Sequence, residues 1–155
     1  MKKIACIIQA RSNSKRLPNK ILKKISGRTV LEILISRLKK SKKIDKIIVA
    51  TTKKKNDDLI IKIAQKNQVD YYRGNESNVL KRYYDCAKKF NLDNILRITS
   101  DCPLSDKNLI DKMIGIYFTS KVDYMSNTIK RTFPDGLDIE IFNFRALNQA
   151  FKYAK

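Results

Sequence analysis

The sequence predicts an α/β fold with a mostly parallel sheet and helices on both of its faces. Three observations predict it: short Ile-rich apolar runs recur along the chain, the first four are each followed by a segment of helical periodicity, and the connections are short. At 155 residues, 43% hydrophobic and 32% charged, the chain suits a single domain able to bury a core. No repeat, linker or low-complexity segment divides it.

The first run, "KIACIIQA", is bounded by polar residues and reads as a buried strand. In "TVLEILISRLKK" the residues Leu31, Leu34, Ile35 and Leu38 recur at i, i+3, i+4 and i+7, Thr29 and Glu32 form a T-x-x-E capping box, and lysines close the last turn. Gly27 permits the preceding turn. "KIIVATT" follows as a strand, "NDDLIIKIAQKN" as a helix capped by Asn56, "VDYY" as a short strand, and "SNVLKRYYDCAKKFN" as a helix capped by Ser77. "NILRITS" is a strand, "DKNLIDKMIGIYF" a helix and "VDYMSN" a strand. "LDIEIFNF" alternates cleanly as a strand and runs into "RALNQAFKYAK", which reads as an unfinished helix.

The formal net charge is +19, which raises nucleic acid as a partner. Its make-up argues otherwise: 25 of the 34 basic residues are lysines, scattered as "KKSKK" and "TKKKND" at element ends, with no stripe of arginines interleaved with aromatics. No specific nucleic acid is expected. The apolar run near the N-terminus is too short for a signal peptide and no run approaches spanning length, so a cytoplasmic location without membrane insertion is expected. Cys6, Cys86 and Cys102, an odd number without paired spacing, predict reduced packing residues rather than a disulfide frame or a CxxC metal site.

In open parallel sheets ligands sit at the carboxyl ends of the strands, so the segments after the strands carry the functional signal. These are "QARSNSKRLPNK", "ATT", "RGNES" and "SDCPLSD". The first contains neither a G-x-G-x-x-G nor a Walker-type glycine loop, so phosphates would have to be held by side chains. Arg11, Arg16 and Lys20 suit that role, with hydroxyls from Ser12 and Ser14 and stiffening by Pro18. A basic solvated loop is the other reading.

Asp101 directly follows an apolar strand opposite this loop. It reads either as a Mg²⁺ ligand completed by substrate phosphates or as the cap of the next turn. Asp138 and Glu140 alternate onto one face of an extended segment, and read as a site for sugar hydroxyls or a second metal, or as a polar edge after the "PDG" turn. The chain has no histidine, which removes the commonest general acid or base and suits chemistry driven by phosphate electrostatics.

"IIQARSNSKRLPNKIL", "YYRGNESNVLKRYYDCA", "RITSDCPL" and "PDGLDIEIF" together resemble the cytidylyltransferases that make CMP-activated sugars, the CMP-Kdo and CMP-acylneuraminate synthetases. Within them the chain is most similar to the branch named spore coat polysaccharide biosynthesis protein F. The resemblance covers essentially the whole chain. It implies a three-layer α/β/α nucleotidyltransferase-like fold that binds CTP and a sugar, often a 2-keto acidic sugar, for surface polysaccharide synthesis.

By this resemblance Arg11 and Lys20 are the catalytic pair and hold the triphosphate with Ser12 and Arg16. Arg73 and Arg82 belong to the nucleotide pocket, Asp101 binds Mg²⁺, and Asp138 and Glu140 of the "GLDxE" signature bind the sugar or a metal. Relatives of this kind tend to be homodimers. They also continue past this point, so residues 1–155 are expected to form one cytidylyltransferase-like domain that is incomplete at its C-terminus. Where relatives often read "DVLDRY" this chain has Asn78 and Lys81, which leaves the substrate open and admits an alternative, an inactive or truncated nucleotide- or sugar-binding module.

Overall fold

The computed structural model describes residues 3–14 and 17–154. Its central feature is β1 (Ala5–Gln9), which pairs in parallel with β4 (Lys46–Thr52) on one side and β6 (Asn94–Thr99) on the other. β5 (Asp70–Gly74) adds in parallel to β4. β8 (Glu140–Asn143) and β7 (Tyr124–Ser126) complete the sheet in antiparallel pairings, giving the order β5-β4-β1-β6-β8-β7. The predicted parallel sheet is therefore present, with an antiparallel extension at one edge. A small hairpin, β2 (Lys24–Ile25) and β3 (Arg28–Thr29), stands apart. Its turn places Ser26 and Gly27 at positive φ, the geometry of a tight hairpin turn.

Side-chain alternation in β1 splits the core into two layers. Cys6 and Ile8 face a cluster with Leu31, Leu34, Ile35 and Leu38 of α1 (Val30–Leu38), Ile60 and Ala64 of α2 (Asp58–Lys66), and Ile110, Met113 and Ile114 of α4 (Lys107–Ser120). Ala5 and Ile7 face the opposite cluster, with Tyr83, Cys86 and Ala87 of α3 (Val79–Lys89) and Leu147 of α5 (Phe144–Tyr153). The result is a three-layer α/β/α sandwich. The α1 stripe is wholly buried at all four predicted positions, and each such side chain contributes on the order of 1.5–3 kcal/mol of hydrophobic stabilisation.

The helix starts follow the sequence in part. The capping box holds: the Thr29 N–H donates to Glu32 Oε2 at 2.8 Å and the Glu32 N–H to Thr29 Oγ1 at 3.1 Å. The two other expected caps each shift by one residue. α3 is capped by Asn78, which accepts from the Lys81 N–H, because the Ser77 hydroxyl is turned toward Asn75. A short 3₁₀ turn over Lys55–Asp57 precedes α2 and moves its N-cap from Asn56 to Asp57, whose side chain makes no capping bond. Arg37 on α1 donates to the carbonyls of Ser105 and Leu104, tying the loop after β6 to the helix layer.

Glu32 carries a second consequence of its cap. The hydrogen bond from the Thr29 backbone, then those from Lys66 and the Thr29 hydroxyl, hold its carboxyl down at about 2. A carboxyl lowered in this way stabilises the fold fully above its unfolded value of about 4.3 and loses that contribution as pH falls through its folded value. Thr29→Ala should cost about 1 kcal/mol in urea unfolding at neutral pH. The difference from wild type should shrink as pH drops through that window; a constant difference would show that Glu32 is not linked to the cap.

Candidate functional site

All the parallel strands end at one edge of the sheet, and two of the segments beyond them meet across a cavity of about 330 Å³. Gln9, Arg11 and Ser14 line it from the chain after β1, Lys20 and Ile21 from the far end of the same loop, and Thr99, Ser100 and Asp101 from the end of β6. Register explains the convergence: Gln9 lies beside Thr99 across the β1–β6 pair, and the Ser100 N–H donates to the Gln9 carbonyl at 3.1 Å. Arg11, Lys20 and Asp101 are thus brought together as expected. Arg16 lies outside the described residues.

Lys20 Nζ makes a short ion-paired hydrogen bond to Asp101 Oδ2 across the cavity. Burial pushes the Asp101 carboxyl up, but the Lys20 hydrogen bond and one from Thr99 outweigh it and hold the group below its ordinary value. Arg11 differs from every other described arginine. The rest each donate to a carbonyl or carboxylate, whereas the exposed Arg11 guanidinium has no acceptor among the described residues. The cavity therefore offers an unengaged guanidinium and an ammonium beside one carboxylate, a set that suits a polyanion better than a neutral ligand.

Ser12 does not line this cavity. It is buried, its hydroxyl donates to Asp57 Oδ1 at 2.6 Å and its N–H to the same oxygen at 2.8 Å, so the serine of the first loop that faces the cavity is Ser14. Sequence reading missed Asp57, which sits in the lysine-rich "TKKKND" run and is only 2% exposed.

Arg73 and Arg82 sit on the β4–β5 side of the same sheet edge. Arg73 is occupied: Nε donates to the Thr52 carbonyl at 3.0 Å, Nη2 to the Lys54 carbonyl at 2.7 Å, and Nη1 pairs with Asp58 at 2.8 Å. Arg82 is fully buried beneath Gly74. A Cβ at Gly74 would lie 2.8 Å from Arg82 Cγ and 2.7 Å from Tyr72 Cε1, so only glycine lets the strand end pass over it. Arg82 Nη1 donates to the Asn75 carbonyl at 2.8 Å, while Nε and Nη2 have no acceptor among the described residues, and burial pulls the guanidinium below its ordinary value.

The two acids of "GLDIE" are each claimed by a different arginine. Asp138 accepts from Arg131 at 3.2 and 3.3 Å. Glu140 ion-pairs with Arg97 and accepts from the Tyr124 hydroxyl at 3.1 Å. Arg97 also donates to Gln9 Oε1 at 3.3 Å, so Glu140 is linked through Arg97 to the cavity floor. The Arg97–Glu140 pair forms the polar end of a second cavity, about 390 Å³, whose other walls are mostly apolar side chains of α3, α5 and β8 together with Tyr124 of β7. Asn78 and Lys81 have local roles, Asn78 as the α3 cap and Lys81 in an i,i+4 ion pair with Asp85 at 3.0 Å.

Among the described residues no group of three or more Cys, Asp or Glu could hold a metal ion, and no helix is long and apolar enough to cross a membrane. A lone Asp101 is compatible with Mg²⁺, which commonly takes one or two carboxylates and fills its remaining positions with water and substrate phosphates.

The family model described as cytidylyltransferase matches residues 5–155. An uncharacterized protein of Methanocaldococcus jannaschii is 48% identical over 153 residues, 99% of this chain and 62% of its own length. The spore coat polysaccharide biosynthesis protein SpsF of Bacillus subtilis is 34% identical over 151 residues, 95% of this chain and 62% of its own. Among solved structures, a cytidylyltransferase from Leptospira borgpetersenii superposes with a TM-score of 0.96 at 37% identity, over 100% of this chain and 66% of that one. The chain thus spans a little under two thirds of the length of these relatives.

The Lys20–Asp101 pair yields a direct test. Lys20→Met removes the main group that holds the Asp101 carboxyl down, so its pKa should rise relative to wild type when followed by carbon NMR of the side-chain carboxyl. An unchanged Asp101 titration would mean that the pair is not formed in solution.

Proposed function

Because the chain belongs to the cytidylyltransferase family, we propose that the cavity between β1 and β6 takes CTP, with the triphosphate against Arg11 and Lys20, and that the protein transfers the cytidylyl group to a sugar. The observation that carries this reading is the unengaged Arg11 guanidinium facing the same cavity as the Lys20–Asp101 pair. A guanidinium left without an acceptor at the ligand edge of a parallel sheet suits a bidentate phosphate contact.

In this reaction a sugar oxygen attacks the α-phosphorus, the bond to the bridging oxygen of the β-phosphate breaks, and pyrophosphate leaves as the nucleophile loses its proton to water. Negative charge moves onto the leaving phosphates, where Arg11 and Lys20 stabilise it more in the transition state than in the ground state. Asp101 is the residue that would hold Mg²⁺ together with phosphate oxygens, and the ion when bound would add charge neutralisation of the same kind. Lys20 then exchanges its carboxylate partner for phosphate. Arg73 near the end of β5 and Arg82 buried beneath Gly74 would serve the nucleotide side through the backbone they hold, at Thr52, Lys54 and Asn75, and Asp138 and Glu140 with their arginines are assigned to the acceptor side. The sugar is proposed as a class only, with a role in surface polysaccharide synthesis suggested by the Bacillus subtilis relative's name.

CTP with Mg²⁺ should raise the Tm more than ATP, GTP or UTP does, and at 100 times the Kd the stabilisation should approach about 2.7 kcal/mol. Arg11→Ala and Lys20→Ala should each weaken CTP binding by roughly 1.5–3 kcal/mol in calorimetry. Asp101→Asn should abolish the Mg²⁺-dependent part of the affinity and leave much of the metal-free part. Lys23→Ala and Lys24→Ala, both exposed in the same basic neighbourhood, should change little. Equal losses at all four basic positions would reduce the loop to a diffuse charge surface and defeat the nucleotide reading.

A further inference from the structure

A buried carboxylate outside the cavity holds the loop that lines it. Asp57 Oδ1 accepts from the Ser12 N–H at 2.8 Å and from the Ser12 hydroxyl at 2.6 Å, while Oδ2 accepts from the Thr52 N–H at 3.3 Å and, in a short bond, from the Thr52 hydroxyl. One side chain thus bridges Ser12, in the loop that leaves β1, and Thr52, the last residue of β4, 45 positions from the first and five from the second. Burial pushes the Asp57 carboxyl up, and these bonds outweigh it and hold the group below its ordinary value, so it stays ionised.

Ser12 is also the node of the loop itself. Its carbonyl accepts from the Ser14 N–H at 3.0 Å and from the Asn19 N–H at 2.9 Å. Asn19 takes a left-handed conformation (φ 56°) and immediately precedes Lys20. Fixing Ser12 therefore fixes both ends of the loop, with Arg11 on one side of the node and Asn19–Lys20 on the other. Arg11 itself has no acceptor among the described residues to fix it, so the backbone must do so.

We propose that Asp57 is a positioning residue for the phosphate-binding loop, setting the spacing of Arg11 and Lys20 before a ligand arrives. This rests on the nucleotide reading above for its ligand, though not for its geometry. Nothing touches substrate through Asp57; it acts through Ser12. Order in advance of binding removes a conformational cost that the ligand would otherwise meet, and with the triphosphate set against Arg11 and Lys20 the benefit falls on CTP more than on CMP.

Two variants each remove one hydroxyl from the same carboxylate, Ser12 from Oδ1 and Thr52 from Oδ2; Thr52→Val also removes the acceptor of the Lys54 N–H, a bond at 3.2 Å on the β4 side. Ser12→Ala acts on the loop side and Thr52→Val on the β4 side. Both should lower the Tm. Ser12→Ala should weaken CTP binding roughly three- to tenfold while changing CMP affinity less than about twofold, and the Ser14 and Asn19 amides should exchange with deuterium faster. Thr52→Val should leave the CTP affinity and those amides within about twofold of wild type. Asp57→Asn, which presents a donor where two donors already point, should show the Ser12→Ala pattern more strongly.

If both hydroxyl variants change CTP affinity alike, or neither does while the Tm falls, Asp57 is a stability element only and the proposal fails. If the wild-type protein binds CTP no better than CMP, the nucleotide reading fails instead. The exchange of the Ser14 and Asn19 amides then still decides whether Asp57 orders the loop. Should Asp57→Asn fail to fold, the comparison of Ser12→Ala with Thr52→Val carries the test.

Discussion

Parallel pairing of β1 with both β4 and β6 is the constraint on which the rest of the structure depends. Residues Ala5–Ile8 are buried on both faces of the sheet, so the strand has no solvent side to retreat to and its register is held from two directions. Because the three strands run the same way, Gln9, Thr52 and Thr99 finish at one edge. Every feature of the candidate site follows from that: the cavity between the β1 and β6 exits, the Asp57 bridge between the β1 and β4 exits, and Arg73 bonding to the Thr52 carbonyl. Had β6 paired antiparallel to β1, Asp101 would lie at the opposite edge from Lys20.

Much of this was legible in the sequence because it depends on local pattern. Apolar runs alternating with helical periodicity gave the sandwich, the T-x-x-E spacing gave the α1 cap, and the rule that ligands meet strand exits singled out Arg11, Lys20 and Asp101. What escaped depends on partners distant in the chain or on packing. Asp57 lies beside lysines and asparagine, where an acid reads as an ordinary solvated helix start, and only the fold brings Ser12 to it. Arg82 occupies a helix position that periodicity assigns to the core, yet an arginine there reads as exposed unless Gly74 is recognised as the gap above it. The caps at Asn56 and Ser77 each moved by one residue because an extra turn or a competing side-chain contact was equally compatible with the local residues. The antiparallel pairing of β7 and β8 was invisible, since strand direction is set by the connection and not by alternation.

The charge distribution separates surface from site more sharply than the net charge does. Among the described residues the arginines mostly serve as ties: Arg37 holds the loop after β6, Arg73 the exit of β4, Arg97 a carboxylate on β8, Arg131 the loop before β8, and Arg145 the acid Asp123. A planar fork of donors suits such fixed geometry, and each tie removes a guanidinium from the pool available to a ligand. The loop after β1 contains no acid of its own, so its counter-charges come from elsewhere in two distinct environments. Asp57, enclosed and surrounded by N–H and O–H donors, is satisfied by dipoles and makes no direct ion pair among the described residues. Asp101, facing the cavity, is satisfied by the Lys20 ammonium and so is neutralised by a group that can move. An acid held by fixed dipoles can order a backbone without changing charge, whereas an acid held by a mobile cation can trade that cation for another. The same edge of the sheet thus carries one carboxylate whose environment suits holding still and one whose environment suits exchange, and Arg11 lines the cavity beside the loop node with no carboxylate partner among the described residues.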